Sequence, residues 1–136
     1  MQKKSNFNGL TRWGPAWLWM GAIFYFSATP SSGLPNFGGM DFWVKKGGHF
    51  LGYTVLGLTY LWGLGIRKRQ SYWIAFVMAI VYALTDEFHQ NFTAGRHPAF
   101  GDVGIDSSGA LLGVCMAYLL YYRRAKFIVR KPEIER

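Results

Sequence analysis

The sequence predicts an all-α integral membrane protein, an antiparallel bundle of four transmembrane helices with both termini in the cytoplasm. Three observations lead to this prediction: four uncharged apolar stretches, an uneven distribution of basic residues among the loops, and a composition that is 51% hydrophobic and 18% aromatic. At 136 residues the chain has the length of one domain. We therefore assign residues 1–136 to a single membrane domain.

The four apolar stretches lack Asp, Glu, Lys and Arg, and they define the predicted helices. The second stretch has 20 residues and the others have 16 each, whereas a helix needs about 20 residues to cross a hydrocarbon core of about 30 Å. The third and fourth stretches reach that length only by taking in neighbouring acidic residues. The predicted helices are 13–28, 46–66, 70–90 and 102–123, followed by a basic cytoplasmic tail over 123–136.

Basic residues indicate how these helices are oriented. Twelve of the 15 lysines and arginines lie near the termini or between the second and third segments, and only Lys45, Lys46 and Arg96 lie elsewhere. By the positive-inside rule, the loops 29–46 and 91–101 face outward. The formal charge is then +10 inside and −2 outside. Because the basic residues lie where topology signals lie, we expect no nucleic-acid partner.

Four of the seven acidic residues fall between Thr85 and Asp106, next to apolar segments. Ionisable groups at the edge of the hydrocarbon core are costly, so a functional role is the default hypothesis. On helix two, Lys45, His49 and Tyr53 share one face. Helix three, the loop after it and helix four supply the other polar candidates: Asp86, Glu87, His89, Gln90, Arg96, Asp102 and Asp106. We expect these side chains to line one outer pocket.

Two glycine pairs at helical spacing predict close packing between helices. Gly48 and Gly52 lie on helix two, while Gly109 and Gly113 lie on helix four, on the same stripe as Asp102. The polar face of helix four is therefore expected to be its close-packing face as well. We expect the glycines to bring helices together and to carry no chemistry themselves.

The polar residues resemble the pattern of the VanZ-like family of small bacterial membrane proteins. The pattern consists of Lys46-x-x-His49-Phe50-x-x-Tyr53, Asp86-Glu87-x-His89-Gln90-x-Phe92-x-x-Gly95-Arg96 and Asp102-Val103-x-x-Asp106-x-x-Gly109. The resemblance implies a bacterial integral membrane protein. With the orientation that the basic residues indicate, we expect a multi-pass protein of the plasma membrane whose polar cluster lies on the extracytoplasmic side. The family is named after a protein that confers low-level resistance to teicoplanin, a glycopeptide antibiotic. A contribution to antibiotic resistance is therefore one expectation.

Our first hypothesis for the cluster is recognition of a polar headgroup. The ligand would be a component of the lipid bilayer or a cell-wall precursor that carries a phosphate, with Lys46, Arg96 and His49 as charge-assisted hydrogen-bond donors. The candidate substrate-binding residues are Lys46, Tyr53, Gln90, Arg96, Asp102 and Asp106.

Hydrolysis at the same cluster is the second hypothesis. The candidate catalytic residues are His49, Asp86, Glu87 and His89, with Glu87 as the general base for a metal-bound water. The candidate ligands for a divalent metal are His49, Asp86, His89, Asp102 and Asp106. A metal-free acid–base enzyme would use Glu87 and His49. The same residues also suit proton-coupled transport, for which a homo-oligomer could supply the path, and a purely structural salt-bridge network.

Overall fold

The computed structural model describes residues 9–96 and 99–129, with side chains up to residue 124. This part of the chain forms four long helices and no β-strand. The long helices are α1 (Gly9–Ala28), α2 (Asp41–Leu64), α3 (Arg69–Gln90) and α4 (Phe100–Val129), and two short 3-10 helices, Ser31–Gly33 and Gly38–Met40, lie between α1 and α2. The prediction of an all-helical protein with four long helices is confirmed.

All four helices extend beyond the ranges that the sequence predicted, three of them by several residues. α1 begins at Gly9 instead of residue 13, α2 begins at Asp41 instead of residue 46, and α4 continues to Val129 instead of residue 123. Charged and polar residues continue a helix as readily as apolar ones, so apolar stretches underestimate helix length. The first part of the predicted basic tail, 123–129, therefore belongs to α4. The rest of that tail, 130–136, lies outside the described residues.

Proline and glycine follow the ends of α1 and α2. α1 ends at Ala28, shortly before Pro30, because the residue that precedes a proline avoids helical geometry. After α2, Gly65 has a φ of +95°, which favours glycine over residues with a side chain. Its N–H donates to the carbonyl oxygen of Leu61 at 2.8 Å. The chain then enters α3 at Arg69, so a tight turn joins α2 to α3.

Small residues fill the contacts between helices, and large apolar residues face outward. Ala75, Ala79 and Ala83 follow one another along one face of α3, and each is 0% exposed. Large apolar side chains stay exposed on all four helices, among them Leu18, Leu51, Val81 and Leu119. Small residues at the contacts and large ones outside are typical of helices that pack in lipid.

Two of the four helices are long and apolar enough to cross a membrane by themselves. They are α3, over Arg69–Gln90, and the part of α4 over Phe100–Arg124. Core helices of soluble proteins can meet the same criterion, but those helices bury their large apolar side chains. Together with the exposed apolar side chains, the two helices are compatible with a membrane protein.

Close contact between α2 and α4 sets the register of the two helices. A Cβ atom at Gly109 would lie 2.9 Å from the carbonyl carbon of Phe50. One turn later, a Cβ atom at Gly113 would lie 3.3 Å from the carbonyl carbon of Thr54. Side chains at these two positions would force the helices apart. The close-packing role predicted for this glycine pair on α4 is confirmed.

The packing role predicted for Gly48 and Gly52 is wrong. A Cβ atom at either position would meet no neighbouring atom within 4 Å. The indole of Trp19 explains the space at Gly52, because its Nε1 donates to the Gly52 carbonyl oxygen at 2.7 Å and the ring stands between α1 and α2. On α2, Gly57 packs closely against α4, since a Cβ there would lie 3.0 Å from the carbonyl oxygen of Ala110.

Hydrogen bonds and ion pairs show which helix ends lie together. Ser27, near the end of α1, donates to Asp86 near the end of α3, and Lys46 near the start of α2 contacts Asp102 near the start of α4. We call this the polar end of the molecule. The opposite end, where α2 turns into α3, is the basic end. Its described basic residues are Arg12, Arg67, Lys68, Arg69, Arg123 and Arg124.

Candidate functional site

Four acidic side chains of α3 and α4 meet polar side chains of α1 and α2 at the polar end. Asp86, Glu87 and Asp106 are 4%, 7% and 0% exposed. Burying a carboxylate is costly unless it has hydrogen-bond partners, so the partners decide what this group of residues can do. We name the group the polar cluster; it comprises Ser27, Lys46, His49, Tyr53, Asp86, Glu87, Gln90, Asp102 and Asp106.

An ion pair and a histidine–aspartate hydrogen bond join α2 to α4 within the polar cluster. The Lys46 ammonium contacts Oδ1 of Asp102, and about one turn further along His49 Nδ1 lies 3.1 Å from Oδ1 of Asp106. The two residues on each helix are three or four positions apart, so they share a helix face. Because Asp102 neutralises the Lys46 ammonium, this cation is not free for a phosphate.

A second set of hydrogen bonds joins α1 to α3. Ser27 Oγ donates to Oδ2 of Asp86 at 2.8 Å, and Gln90 Nε2 donates to the same oxygen at 3.2 Å. Ser27 is 4% exposed, and it is not among the residues that the sequence suggested. A hydroxyl in an uncharged apolar stretch gives no compositional signal, and only its position near the end of that stretch could have pointed to it.

The loop between α3 and α4 is hydrogen-bonded to α1 through Arg96 and to α3 through Ala99. Arg96 donates to two carbonyl oxygens near the end of α1, through Nη2 to Phe26 at 2.8 Å and through Nε to Thr29 at 3.4 Å. The backbone N–H of Ala99 donates to Oε2 of Glu87 at 3.0 Å. Carbonyls at a helix end lack partners within the helix and attract cations. Arg96 therefore fastens this loop to α1.

The candidate metal ligands have different partners in the structure. His89 lies against Phe24 of α1, with ring centroids 4.5 Å apart, and Asp86 also bonds to α1. His49 and Asp106, by contrast, pair across the contact between α2 and α4. In residues 9–96 and 99–129, no three His, Cys, Asp or Glu side chains are grouped so as to hold a metal ion. The described residues thus do not assemble the five-ligand site that the sequence suggested.

Several buried polar atoms of this region have no hydrogen-bond partner. Among the described residues they are Tyr53 OH, Asp86 Oδ1, Glu87 Oε1, His89 Nδ1 and Asp106 Oδ2. Leaving such an atom unpaired costs about 1–3 kcal/mol, and native proteins rarely do so. Three of the five are carboxylate oxygens, which accept hydrogen bonds when the group is ionised. The region therefore has acceptor capacity that its own donors do not use.

An apolar groove of about 580 Å³ adjoins the polar cluster, and we name it the α1–α2 groove. Its apolar walls come from α1, α2 and the loop between them, and include Ile23, Phe26, Leu34, Phe37, Val44, Leu51 and Val55. Its polar lining consists of Ser27, Lys45, His49, Tyr53 and Arg96. Gly48 and Gly52 also line it, so their missing side chains leave this space open. The groove thus combines apolar walls with part of the polar cluster.

The cations beside the groove all have partners within the molecule. Lys45 donates to Asp41 at 2.6 Å. Lys46 pairs with Asp102, and Arg96 binds the carbonyls of α1. A ligand would meet these cations only in competition with those partners. His49 and Tyr53 are the polar side chains of the groove with unused bonding capacity.

Comparison with known protein families supports a relationship over most of the chain. A family model described as VanZ/LLP1 matches residues 7–121. The matched region contains every residue of the polar cluster, the whole lining of the α1–α2 groove and all the site residues that the sequence suggested. Comparison with curated proteins and with solved structures finds no match for the chain.

Proposed function

We propose that this chain, which belongs to the VanZ/LLP1 family, is a membrane protein that recognises an amphipathic ligand at its polar end. The headgroup of the ligand lies at the polar cluster, and its hydrocarbon chain lies in the α1–α2 groove. The observation that carries the proposal is the lining of this groove, which joins apolar walls to His49, Tyr53 and Ser27. Ligand sites typically combine a mostly apolar lining with a few orienting polar groups. A membrane lipid or a lipid-linked cell-wall precursor has the matching chemistry.

We also propose that all four helices span the bacterial plasma membrane in antiparallel order. α1 and α2 have 20 and 24 residues, which give about 30 and 36 Å at about 1.5 Å per residue. These lengths match a hydrocarbon core of about 30 Å, and both helices expose large apolar side chains. The positive-inside rule then puts both termini and the basic end in the cytoplasm. The polar end faces the extracytoplasmic side, where headgroups of the outer leaflet are within reach.

His49 and Tyr53 are the proposed contacts for the headgroup. Because Asp106 bonds to Nδ1 of His49, the other ring nitrogen is the one available to a ligand. Tyr53 is 1% exposed, and its hydroxyl has no hydrogen-bond partner among the described residues. A phosphate would compete with Asp102 for Lys46, whereas hydroxyl or ammonium groups would meet unused acceptors. The proposed headgroup therefore brings such donors, in addition to any phosphate.

Filling the groove tests the proposal. A Cβ atom at Gly48 meets nothing within 4 Å, so Gly48→Leu occupies the groove without moving a helix. Gly104 on α4 has equally open surroundings and lies outside the groove, so Gly104→Leu is the matched control. Lipids that co-purify with each variant are extracted and quantified by mass spectrometry. We expect the amount of one specific amphiphile that co-purifies with Gly48→Leu to be at least tenfold lower than with the wild type. Gly104→Leu should co-purify with the wild-type amount. Equal retention by both folded variants would refute the proposal.

The same variants test a contribution to teicoplanin resistance, which we propose on the basis of the VanZ resemblance. Expression of the wild-type chain in a susceptible Gram-positive host is expected to raise the concentration of teicoplanin that stops growth. Gly104→Leu should behave like the wild type, and Gly48→Leu should not. If Gly48→Leu protects as well as the wild type, resistance does not depend on the groove.

A further inference from the structure

A second cavity lies at the basic end, away from the polar cluster. It has a volume of about 440 Å³ and is formed by the start of α1, the end of α2 and the turn that leads into α3. We name it the basic pocket; it is lined by Arg12, Trp62, Leu64, Gly65, Ile66, Arg67 and Lys68. Three of these seven residues are cationic, and none is acidic.

The start of α3 lies next to the basic pocket, because Lys68, which precedes this helix, lines the pocket. A helix start carries a partial positive charge and unpaired N–H groups, and acidic residues or side-chain caps normally satisfy it. The first turn of α3 has no acidic residue, and no side chain of the described residues caps it. Instead, Arg67, Lys68 and Arg69 stand there in succession. Within the described part of the chain, no salt bridge involves these three residues or Arg12.

Arg12 is brought to this turn from a distant part of the sequence. A Cβ atom at Gly65 would lie 3.0 Å from Nη2 of Arg12, so the guanidinium lies close against the glycine. The turn itself is fixed to α3, because the hydroxyl of Tyr72 donates to the carbonyl oxygen of Ile66 at 2.9 Å. Cations from two separate segments are therefore held around one cavity. The positive-inside rule explains why they lie at this end, but not why they converge.

We propose that the basic pocket binds the phosphate group of an anionic membrane lipid. Arg12, Arg67 and Lys68 donate charge-assisted hydrogen bonds to the phosphate, and the helix start contributes its partial charge. Trp62, which is 55% exposed, and Leu64 supply an apolar wall for the part of the lipid next to the headgroup. Basic pockets between membrane helices are suited to such headgroups. This site is independent of the function proposed for the polar end.

A charge-matched pair of variants tests the site in the full-length protein. Arg12→Gln/Lys68→Gln removes two cations from the pocket. Arg123→Gln/Arg124→Gln removes two cations that also lie at the basic end, on α4, but outside the pocket. Each detergent-solubilised protein is titrated with a short-chain phosphatidylglycerol, and bound lipid is counted by native mass spectrometry. We expect the pocket variant to bind about 25-fold more weakly, about fivefold for each cation. The control should stay within about twofold of the wild type.

Two further probes separate the site from general charge attraction and from phosphate binding alone. Short-chain phosphatidylcholine and glycerol phosphate should each bind at least tenfold more weakly than phosphatidylglycerol, because one lacks net charge and the other lacks an apolar part. Equal weakening of both double variants, or glycerol phosphate binding as tightly as the lipid, would overturn the proposal. If the pocket variant does not fold, Arg67→Gln is compared with Arg123→Gln, and about fivefold is expected.

Discussion

Removing His49 should destabilise the protein more than removing both His49 and the charge of Asp106. Asp106 is 0% exposed, and its only hydrogen-bond partner among the described residues is His49. His49→Leu leaves a buried carboxylate without any partner, which costs about 3–5 kcal/mol. His49→Leu/Asp106→Asn leaves a neutral amide, whose unpaired atoms cost about 1–3 kcal/mol. The double variant is therefore expected to be about 2 kcal/mol more stable than His49→Leu.

The free energy of unfolding can be measured by titrating purified protein in mixed micelles with a denaturing detergent. The fluorescence of the six tryptophans reports the transition. Lys45→Leu is the control, because the ion pair between Lys45 and Asp41 is partly exposed and such pairs contribute little. The unfolding midpoint of Lys45→Leu should equal that of the wild type. If His49→Leu is as stable as the double variant, the reasoning is refuted, because His49 then does not stabilise the protein by compensating a buried charge on Asp106.

Two further predictions concern packing and topology. Gly109→Ala should lower the free energy of unfolding by about 1–3 kcal/mol, because the added methyl group pushes α2 away from α4. Gly101→Ala is the control and should leave the free energy of unfolding unchanged, because a Cβ there meets no described atom within 4 Å. If Gly109→Ala is as stable as the wild type, the close contact at Gly109 is contradicted. In a Cys115→Ala background, a cysteine at Ser32 should react with a membrane-impermeant maleimide in intact cells, and a cysteine at Gln70 only after permeabilisation. The reverse labelling would invert the proposed topology.

Local features of the sequence were sufficient to predict the number of helices and their approximate positions. Uncharged apolar stretches mark helices without any knowledge of their neighbours. Their exact limits differ, because α2 and α4 continue through charged residues that hydrophobicity does not count. The composition also indicated which helices would carry the acidic residues.

The sequence also showed which candidate residues share a helix face, since this follows from the helical repeat. It could not show which residue faces which across two helices. The pairs Lys46–Asp102 and His49–Asp106 depend on the register of α2 against α4, and the close approach at Gly109 sets that register. For the same reason, the five suggested metal ligands shared faces in the sequence, yet in the described part of the chain no three of them are grouped so as to hold a metal ion.

Local pattern alone thus accounts for the helices, their polar faces and the charge difference between the two ends, because each depends on residues close in the chain. The α1–α2 groove, the hydrogen bond of Ser27 and the basic pocket depend on what faces a residue across a helix contact. Gly48 and Gly109 show the difference. Each belongs to a pair of glycines four residues apart, but Gly48 leaves a cavity open and Gly109 closes a contact, because α1 is held away from α2 while α4 packs directly against it.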